Sequence, residues 1–169
     1  MPQKFLTVVS GNFKEVEGLV TSAGAGDAGK LPALDSAGKL DTSVMPIGIG
    51  ADTKAIVASE NLAAGDLVNV WNDTGTVKVR KADATSPSKR AHGFVLSSVS
   101  SAATATVYFE GTITGLSSLT LGATYFLGTT AGAATATATT TAGHIVQQVG
   151  VAISATELSF EPQQPVELA

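Results

Sequence analysis

The sequence predicts an all-β protein: a small β-barrel or β-sandwich domain preceded by an extended N-terminal arm. Three observations predict this class. Residues 103–114 alternate between apolar and polar side chains, which is typical of a half-buried strand. The region after Ser97 is rich in Thr and Gly, which favour strands and the turns between them. No segment shows a convincing amphipathic helical period.

The alternating segment 103–114 is the clearest strand in the sequence. Val107, Phe109 and Ile113 fall on one face, whereas the opposite face carries mostly Thr. A continuous strand of this length would span roughly 40 Å at about 3.3 Å per residue, which is longer than usual. We therefore expect a bend or a bulge near Gly111.

Other short strands recur at spacings typical of a barrel or sandwich, with Gly-rich turns between them. Residues 82–88 are expected to form a polar loop. We also expect Ile145, Val149, Val151 and Ile153 to share one face, with a twist or bulge at Gly150. The further predicted strands are 54–58, 67–71, 76–80, 93–99, 125–127, 133–139, 145–153 and 157–160.

The first 50 residues differ in character from the rest. Short apolar pieces are separated by Gly, Pro and small polar residues, and Pro32 and Pro46 bias the residues before them away from helix. So little contiguous apolar surface cannot form a core alone, so we interpret this arm as ordered by a partner. A short helix within 13–20 is the one helical candidate. The predicted organisation is an arm (1–50), a β-domain (51–162) and a C-terminal tail (163–169).

Composition argues against nucleic acid and membrane as partners. The net charge is −4, and a binder of nucleic acid needs a basic face. No apolar run approaches the ~20 residues of a membrane helix, and the first residues do not resemble a signal peptide. The one basic cluster is interpreted as a solvated strand edge and loop, where lysines discourage unwanted pairing. It consists of Lys78, Arg80, Lys81, Lys89 and Arg90.

The segment 24–29 matches the pattern G-x-G-x-x-G. That pattern binds a pyrophosphate only where it joins a strand to a helix whose N-terminal amides face the phosphate. Pro32 and Gly38 follow too closely for a helix. We therefore interpret this match as part of the flexible arm and expect no nucleotide cofactor.

Catalytic and metal-ligating groups are scarce. The chain contains no Cys, and neither His92 nor His144 has a neighbour at metal-ligand spacing. Between Arg90 and Thr156, Glu110 is the one carboxylate, and we expect it on the polar face of its strand. General acid–base chemistry usually needs two titratable groups or one group and a metal. The sequence therefore predicts a protein that is not an enzyme and has no catalytic residue, metal or cofactor.

Several phrases resemble structural proteins of tailed bacteriophages. Residues 37–46, Ala-Gly-Lys-Leu-Asp-Thr-Ser-Val-Met-Pro, resemble a linker found in phage fibre and decoration proteins. Residues 62–71, 115–127 and 149–160 are similar to β-domains of the same group. Taken together, the chain most resembles the family of small head decoration proteins, also called capsid cement proteins.

This resemblance implies a homotrimer of β-domains on the exterior of the virion, bound to the phage major capsid protein. The extended termini of such proteins reach across neighbouring capsid subunits, and their role is capsid stabilisation. Trp71 is expected to be a core or interface anchor rather than a ligand platform. The residues expected to contact the capsid are Phe5, Leu6, Phe13, Leu31, Leu34, Leu40, Met45 and Trp71.

Two alternatives remain open at this point. A tail-fibre, tailspike or baseplate module that binds a host receptor carries similar linkers, although fibres are usually longer and more repetitive. Glycan sites also usually present several aromatics with carboxylates, and this chain offers Trp71, Tyr108 and Tyr125. A carbohydrate-active enzyme with a β-fold is the third possibility, and it would depend on Glu110.

Overall fold

The computed structural model describes residues 3–45 and 51–169, and these residues form strands, turns and loops. The chain divides into two compact units, residues 1–50 and 51–169. Pro46, which ends the linker phrase, lies outside the described residues. Within the described residues, helical structure is limited to short 3-10 turns, and the predicted all-β class is therefore confirmed. These turns are Ala25–Asp27, Thr42–Val44 and Pro87–Lys89.

The first unit begins with a β-hairpin. Strand β1 (Lys4–Val9) pairs antiparallel with β2 (Asn12–Glu17). The connecting residues Ser10 and Gly11 have φ values of 51° and 81°. Positive φ at both central residues gives a turn whose twist matches that of the strands it joins. The predicted helix within 13–20 is wrong, because this turn pairs residues 12–17 with β1 instead.

The second unit contains the remaining strands. They are β3 (Thr53–Ala58), β4 (Leu67–Asp73), β5 (Thr76–Lys81), β6 (Gly93–Phe94), β7 (Thr104–Tyr108), β8 (Gly111–Ile113), β9 (Thr124–Leu127), β10 (Ala134–Thr135), β11 (Ile145–Val146), β12 (Gln148–Ala152), β13 (Leu158–Phe160) and β14 (Val166–Glu167).

Five of these strands close into a barrel in the order β3-β5-β4-β6-β7. Strand β3 closes it, because it pairs parallel with β5 on one side and antiparallel with β7 on the other. Alternate residues of the strands point inward and exclude water from one small apolar core. This core consists of Ile56, Ala58, Leu62, Val68, Val79, Val95, Ala105 and Val107.

A five-stranded sheet with the order β10-β9-β12-β13-β8 forms the other half of the unit. Its pairings are antiparallel, and its inner face contributes to a second and larger core. Phe94 of the barrel joins the two halves: its ring stacks on Tyr108 at 5.4 Å and meets Phe160 edge-on at 5.3 Å. Aromatic pairs in these arrangements add to the stability that burial of their area supplies.

The expected break near Gly111 is present. Strand β7 belongs to the barrel, whereas β8 begins at Gly111 and pairs with β13 in the second sheet. Gly111 has a φ of 116°, which a residue with a side chain rarely adopts. Glu110 lies exposed in the bend between the two strands, so its predicted position on the face of a strand is wrong.

The predicted common face of Ile145, Val149, Val151 and Ile153 is also wrong. The register of β12 against β9 shifts between Gln148 and Gly150, so a bulge interrupts the alternation. Beyond the bulge Ala152 is buried and Ile153 is 53% exposed. One extra residue in a strand moves every later side chain to the opposite face.

Two predicted strands are much shorter than expected. Residues 93–99 and 133–139 contain only β6 and β10, of two residues each. Beyond β6, Val99 forms an isolated bridge with Leu62, because the chain there leaves the ladder for a loop.

Two segments expected at the surface are bound into the unit. Residues 82–84 are buried, and the amides of Ala82 and Ala84 donate to the carbonyls of Leu67 and Gly128. The 82–88 segment is thus not a solvated polar loop throughout. The segment 163–169, expected to be a tail, supplies β14, which pairs with β11.

Candidate interaction surface

The β1–β2 hairpin carries an apolar face that the described residues leave open. The register places Val8 opposite Phe13 and Leu6 opposite Glu15, and side chains of directly paired residues lie on the same face. Leu6 is 70%, Val8 61% and Phe13 81% exposed. We call these three residues the hairpin apolar face.

Charged side chains border this face. Lys4 and Glu15 form an ion pair with both side chains more than half exposed. Exposed ion pairs of this kind contribute about 0–1 kcal/mol. Glu15 thus borders Leu6 while adding little to the stability of the hairpin.

The first unit has almost no core of its own. Among residues 3–45 only Ala33 is buried, and it packs against Gly18. A two-stranded hairpin is at best marginally stable in water without a layer to pack on. Further large apolar side chains of the unit are exposed, and they are Val9, Val20, Leu31, Leu34 and Leu40.

The predicted contact residues divide into three groups. Leu6 and Phe13 lie together on the hairpin apolar face, with Phe5 half-buried on the opposite face. Val8 was missed by the sequence analysis, although its position two residues after Leu6 on a strand is the signal that identifies it. Of the other predicted residues in the first unit, Leu31, Leu34 and Leu40 are exposed and Met45 is half-buried; Trp71, in the second unit, is also half-buried.

Trp71 belongs to the outer wall of the barrel. Its indole nitrogen donates to the Ser59 hydroxyl at 3.3 Å. The guanidinium of Arg80 lies 4.6 Å from the centre of the ring, within the range of a cation–π contact. With one face covered by Arg80 and its polar atom paired, Trp71 is half-buried on the barrel wall and belongs to neither apolar core.

The basic cluster is largely neutralised by neighbouring carboxylates. Lys78 pairs with Asp73, Lys81 with Asp66 and Lys89 with Asp83, at 2.7, 3.0 and 2.8 Å. Ion-paired lysines offer little net charge to a phosphate backbone. Lys89 and Arg90 lie outside the strands, as expected of a loop. The predicted strand edge is wrong, because β5, which carries Lys78, Arg80 and Lys81, pairs with β3 on one side and β4 on the other.

The segment that matches the nucleotide-binding pattern has a different local structure. Gly24 has a φ of 104°, and Ala25–Asp27 form a single 3-10 turn in which Asp27 accepts from the amide of Ala23. Asp27 also pairs with Lys30 at 2.5 Å. A turn whose amides already meet an internal carboxylate, with no helix behind it, lacks the geometry that binds a pyrophosphate.

The titratable groups outside these surfaces are dispersed. Within 3–45 and 51–169, no group of three or more His, Cys, Asp or Glu side chains is placed to hold a metal ion. The ring nitrogen Nδ1 of His144 lies 3.1 Å from the hydroxyl of Thr139, and Glu110 is exposed. His92 occupies a denser polar network with Asn69, Val70 and Arg90.

No helix among the described residues is both long and apolar enough to cross a membrane. Comparison of the sequence with protein-family models and with curated proteins finds no match.

Proposed function

We propose that this chain is a structural virion protein that decorates a bacteriophage head and stabilises it. It binds the outer surface of major capsid protein subunits as a homotrimer and catalyses no reaction. The resemblance of four segments of the chain to phage decoration proteins suggests this role. The structural observation that carries it is the contrast between the two units.

The first unit presents apolar side chains and encloses almost none. Leu6, Val8 and Phe13 are each more than 60% exposed, whereas Ala33 is the one buried residue among 3–45. Burial of an exposed Leu or Phe contributes about 1.5–3 kcal/mol. Docking on another protein is the way in which this unit gains the buried surface that it lacks by itself.

The second unit supplies the folded body of the decoration protein. Its two apolar cores lie entirely within residues 51–169. A trimer of such bodies would hold three docking hairpins at once. Linked binding sites raise the overall affinity without any new contact, because the second and third binding events become intramolecular.

The test is binding of the full-length chain to purified bacteriophage heads that lack it. Phe13→Ser and the double variant Leu6→Ser/Phe13→Ser remove the centre of the hairpin apolar face. Truncation of a central aromatic anchor costs about 2 kcal/mol or more, so we expect an affinity at least about 30-fold weaker.

The matched control is Leu121→Ser, which removes an apolar side chain that is 68% exposed in the second unit. We expect it to decorate heads as the wild type does. Full occupancy of heads by the double variant would overturn the proposed role of the hairpin. Binding of the wild type to host cells but not to heads would instead favour a receptor-binding module.

The molar mass of the purified protein in solution tests the homotrimer. We expect three times the mass of one chain. If the protein is instead a monomer at concentrations well above those needed for head binding, the proposed homotrimer is wrong. Linked binding sites then make no contribution to its affinity.

A further inference from the structure

His92 lies where three hydrogen-bond donors converge. Its Nδ1 atom is 3.0 Å from the backbone nitrogen of Val70 and 3.3 Å from the side-chain nitrogen of Asn69. Its Nε2 atom is 2.9 Å from Nε of Arg90. The ring is therefore surrounded by N–H groups.

The orientation of Asn69 is fixed by its neighbours. Nε of Arg80 donates to its side-chain oxygen at 3.0 Å, and its side-chain nitrogen donates to the carbonyl of Arg90 at 2.8 Å. Asn69 is buried, so this amide has no water with which to exchange these contacts. Its NH₂ group therefore faces the imidazole.

An imidazole can accept in this setting only while it is neutral. A neutral ring has one acceptor nitrogen and one N–H, whereas an imidazolium has two N–H groups and no acceptor. With Nδ1 accepting from Val70, the neutral ring carries its N–H on Nε2, which already faces Nε of Arg90. Protonation would add an N–H on Nδ1 and place it against the Val70 amide. The Val70 amide would then lack an acceptor in a half-buried site, which disfavours the protonated ring.

The charged groups around the ring also favour its neutral form. Arg90 lies on the same segment, Arg80 reaches the site from β5 through Asn69, and β4 contributes only the neutral Asn69 and the Val70 amide. The groove beside the ring is lined otherwise by Ala91 and by uncharged Gln and Pro side chains. Burial, followed by the positive charge of Arg90, lowers the pKa of His92 below its usual value of 6.5.

The ring also replaces a backbone acceptor in the barrel. Strand β4 pairs with β6 at Val68 and Gly93, but the amide of His92 also donates to the Val68 carbonyl at 2.8 Å, so the ladder does not continue regularly to Val70. The carbonyl of Ala91 instead accepts from the side chain of Gln147 at 2.9 Å, and that side chain also donates to the carbonyl of Gln163. The Val70 amide consequently depends on His92.

We propose that His92 is a proton-sensitive latch, which closes the β4 edge of the barrel against residues 90–92 when its ring is neutral and releases it when the ring is protonated. Opening would free the Val70 amide. It would also loosen the Ala91 contact with Gln147, whose side chain donates one of several hydrogen bonds that hold the C-terminal segment.

The test follows the Val70 amide and the His92 ring in the full-length protein by NMR between pH 7.5 and 5. We expect the hydrogen-exchange protection of Val70 to fall as His92 takes up a proton. Each pH unit by which the ring titrates below 6.5 corresponds to about a tenfold preference of the folded state for the neutral ring. Constant protection across the titration of His92 would overturn the latch.

Variants separate the latch from general sensitivity to acid. In His92→Asn a carboxamide oxygen can accept from the Val70 amide but cannot titrate, so protection should persist to pH 5. The matched control His144→Gln should keep the pH dependence, because the ring of His144 meets a hydroxyl that can either donate or accept. If His92→Asn does not fold, the exchange protection of Val70 across the titration of His92 in the wild type still tests the latch. A pH dependence that survives in folded His92→Asn would contradict the proposal.

Discussion

A side chain at Gly150 would collide with the backbone of Ser159 in the neighbouring strand. A β-carbon built on Gly150 lies 1.9 Å from the carbonyl oxygen of Ser159, and the φ of Gly150 is 156°. The close approach occurs beside the bulge in β12, where the strand crosses from one register to the next. Only glycine permits both the contact and the backbone conformation.

We expect Gly150→Ala to lower the free energy of unfolding by about 3 kcal/mol or more, because overpacking costs about 1–3 kcal/mol and an unfavourable φ about 1–2 kcal/mol. Urea denaturation at pH 7 measures the change. Gly122→Ala is the control: Gly122 has a φ of 72°, and no other atom lies within 4 Å of its built β-carbon. It should show only the backbone cost of about 1 kcal/mol. Equal losses in the two variants would mean that the strands separate readily at Gly150.

The carboxylate of Asp83 is 4% exposed and fully engaged. It accepts from the ammonium of Lys89 at 2.8 Å and from the amide of Thr85 at 3.0 Å. The variant loses the charge that accepts these hydrogen bonds at a buried position, although the partly exposed Lys89 can turn to water. We therefore expect Asp83→Asn to lower the free energy of unfolding by about 1–3 kcal/mol at pH 7. Asp73→Asn breaks the more exposed pair with Lys78 and should cost less than about 1 kcal/mol.

The loss of unfolding free energy caused by Asp83→Asn should become smaller in acid. Burial acts to raise the pKa of Asp83, but the hydrogen bonds from Lys89 and Thr85 outweigh it and hold the pKa below its usual value of 3.8. A carboxyl with a depressed folded pKa contributes stability above its unfolded pKa and loses it as the pH falls through the folded value. Denaturation of wild type and variant at pH 7 and pH 2.5 should therefore give converging stabilities at the lower pH. An unchanged difference would show that Asp83 acts through packing rather than charge.

Residues 51–169, produced alone, should fold and unfold cooperatively, because both apolar cores lie within this segment. Circular dichroism during heating measures this. A fragment ending at residue 162 should be less stable, because it lacks β14 and the carbonyl of Gln163 that accepts from Gln147. Residues 1–50 alone should show no cooperative transition. A cooperative transition in that fragment would contradict the absence of a core in the first unit.

The fold class and the strand at 103–114 could be predicted because alternation is local. The turn at Ser10 and Gly11 is also local, but the neighbouring Phe5-Leu6-Thr7-Val8-Val9 is apolar on both faces and gives no contrast between them. In the structure Phe5 and Thr7 are half-buried whereas Leu6 and Val8 are exposed, a difference between the faces that this local composition does not indicate.

Features that depend on distant parts of the chain could not be predicted. The face occupied by Ile153 depends on a bulge fixed by pairing with β9. The environment of His92 comes from Asn69 and Val70, which precede it by more than 20 residues. Gln147 satisfies the backbone of Ala91, 56 residues earlier. Spacing along the sequence carries no signal for such contacts.

Closure of the barrel by β3 has a consequence for synthesis of the protein. One edge of Thr53–Ala58 pairs with β5, but the other pairs only with Thr104–Tyr108. The nascent chain therefore exposes an unpaired strand edge on the ribosome until residue 108 has emerged, and such edges invite pairing with other chains. The exposed side chain of Lys54 places a positive charge on this strand while its edge is unpaired, and such a charge discourages pairing with other chains.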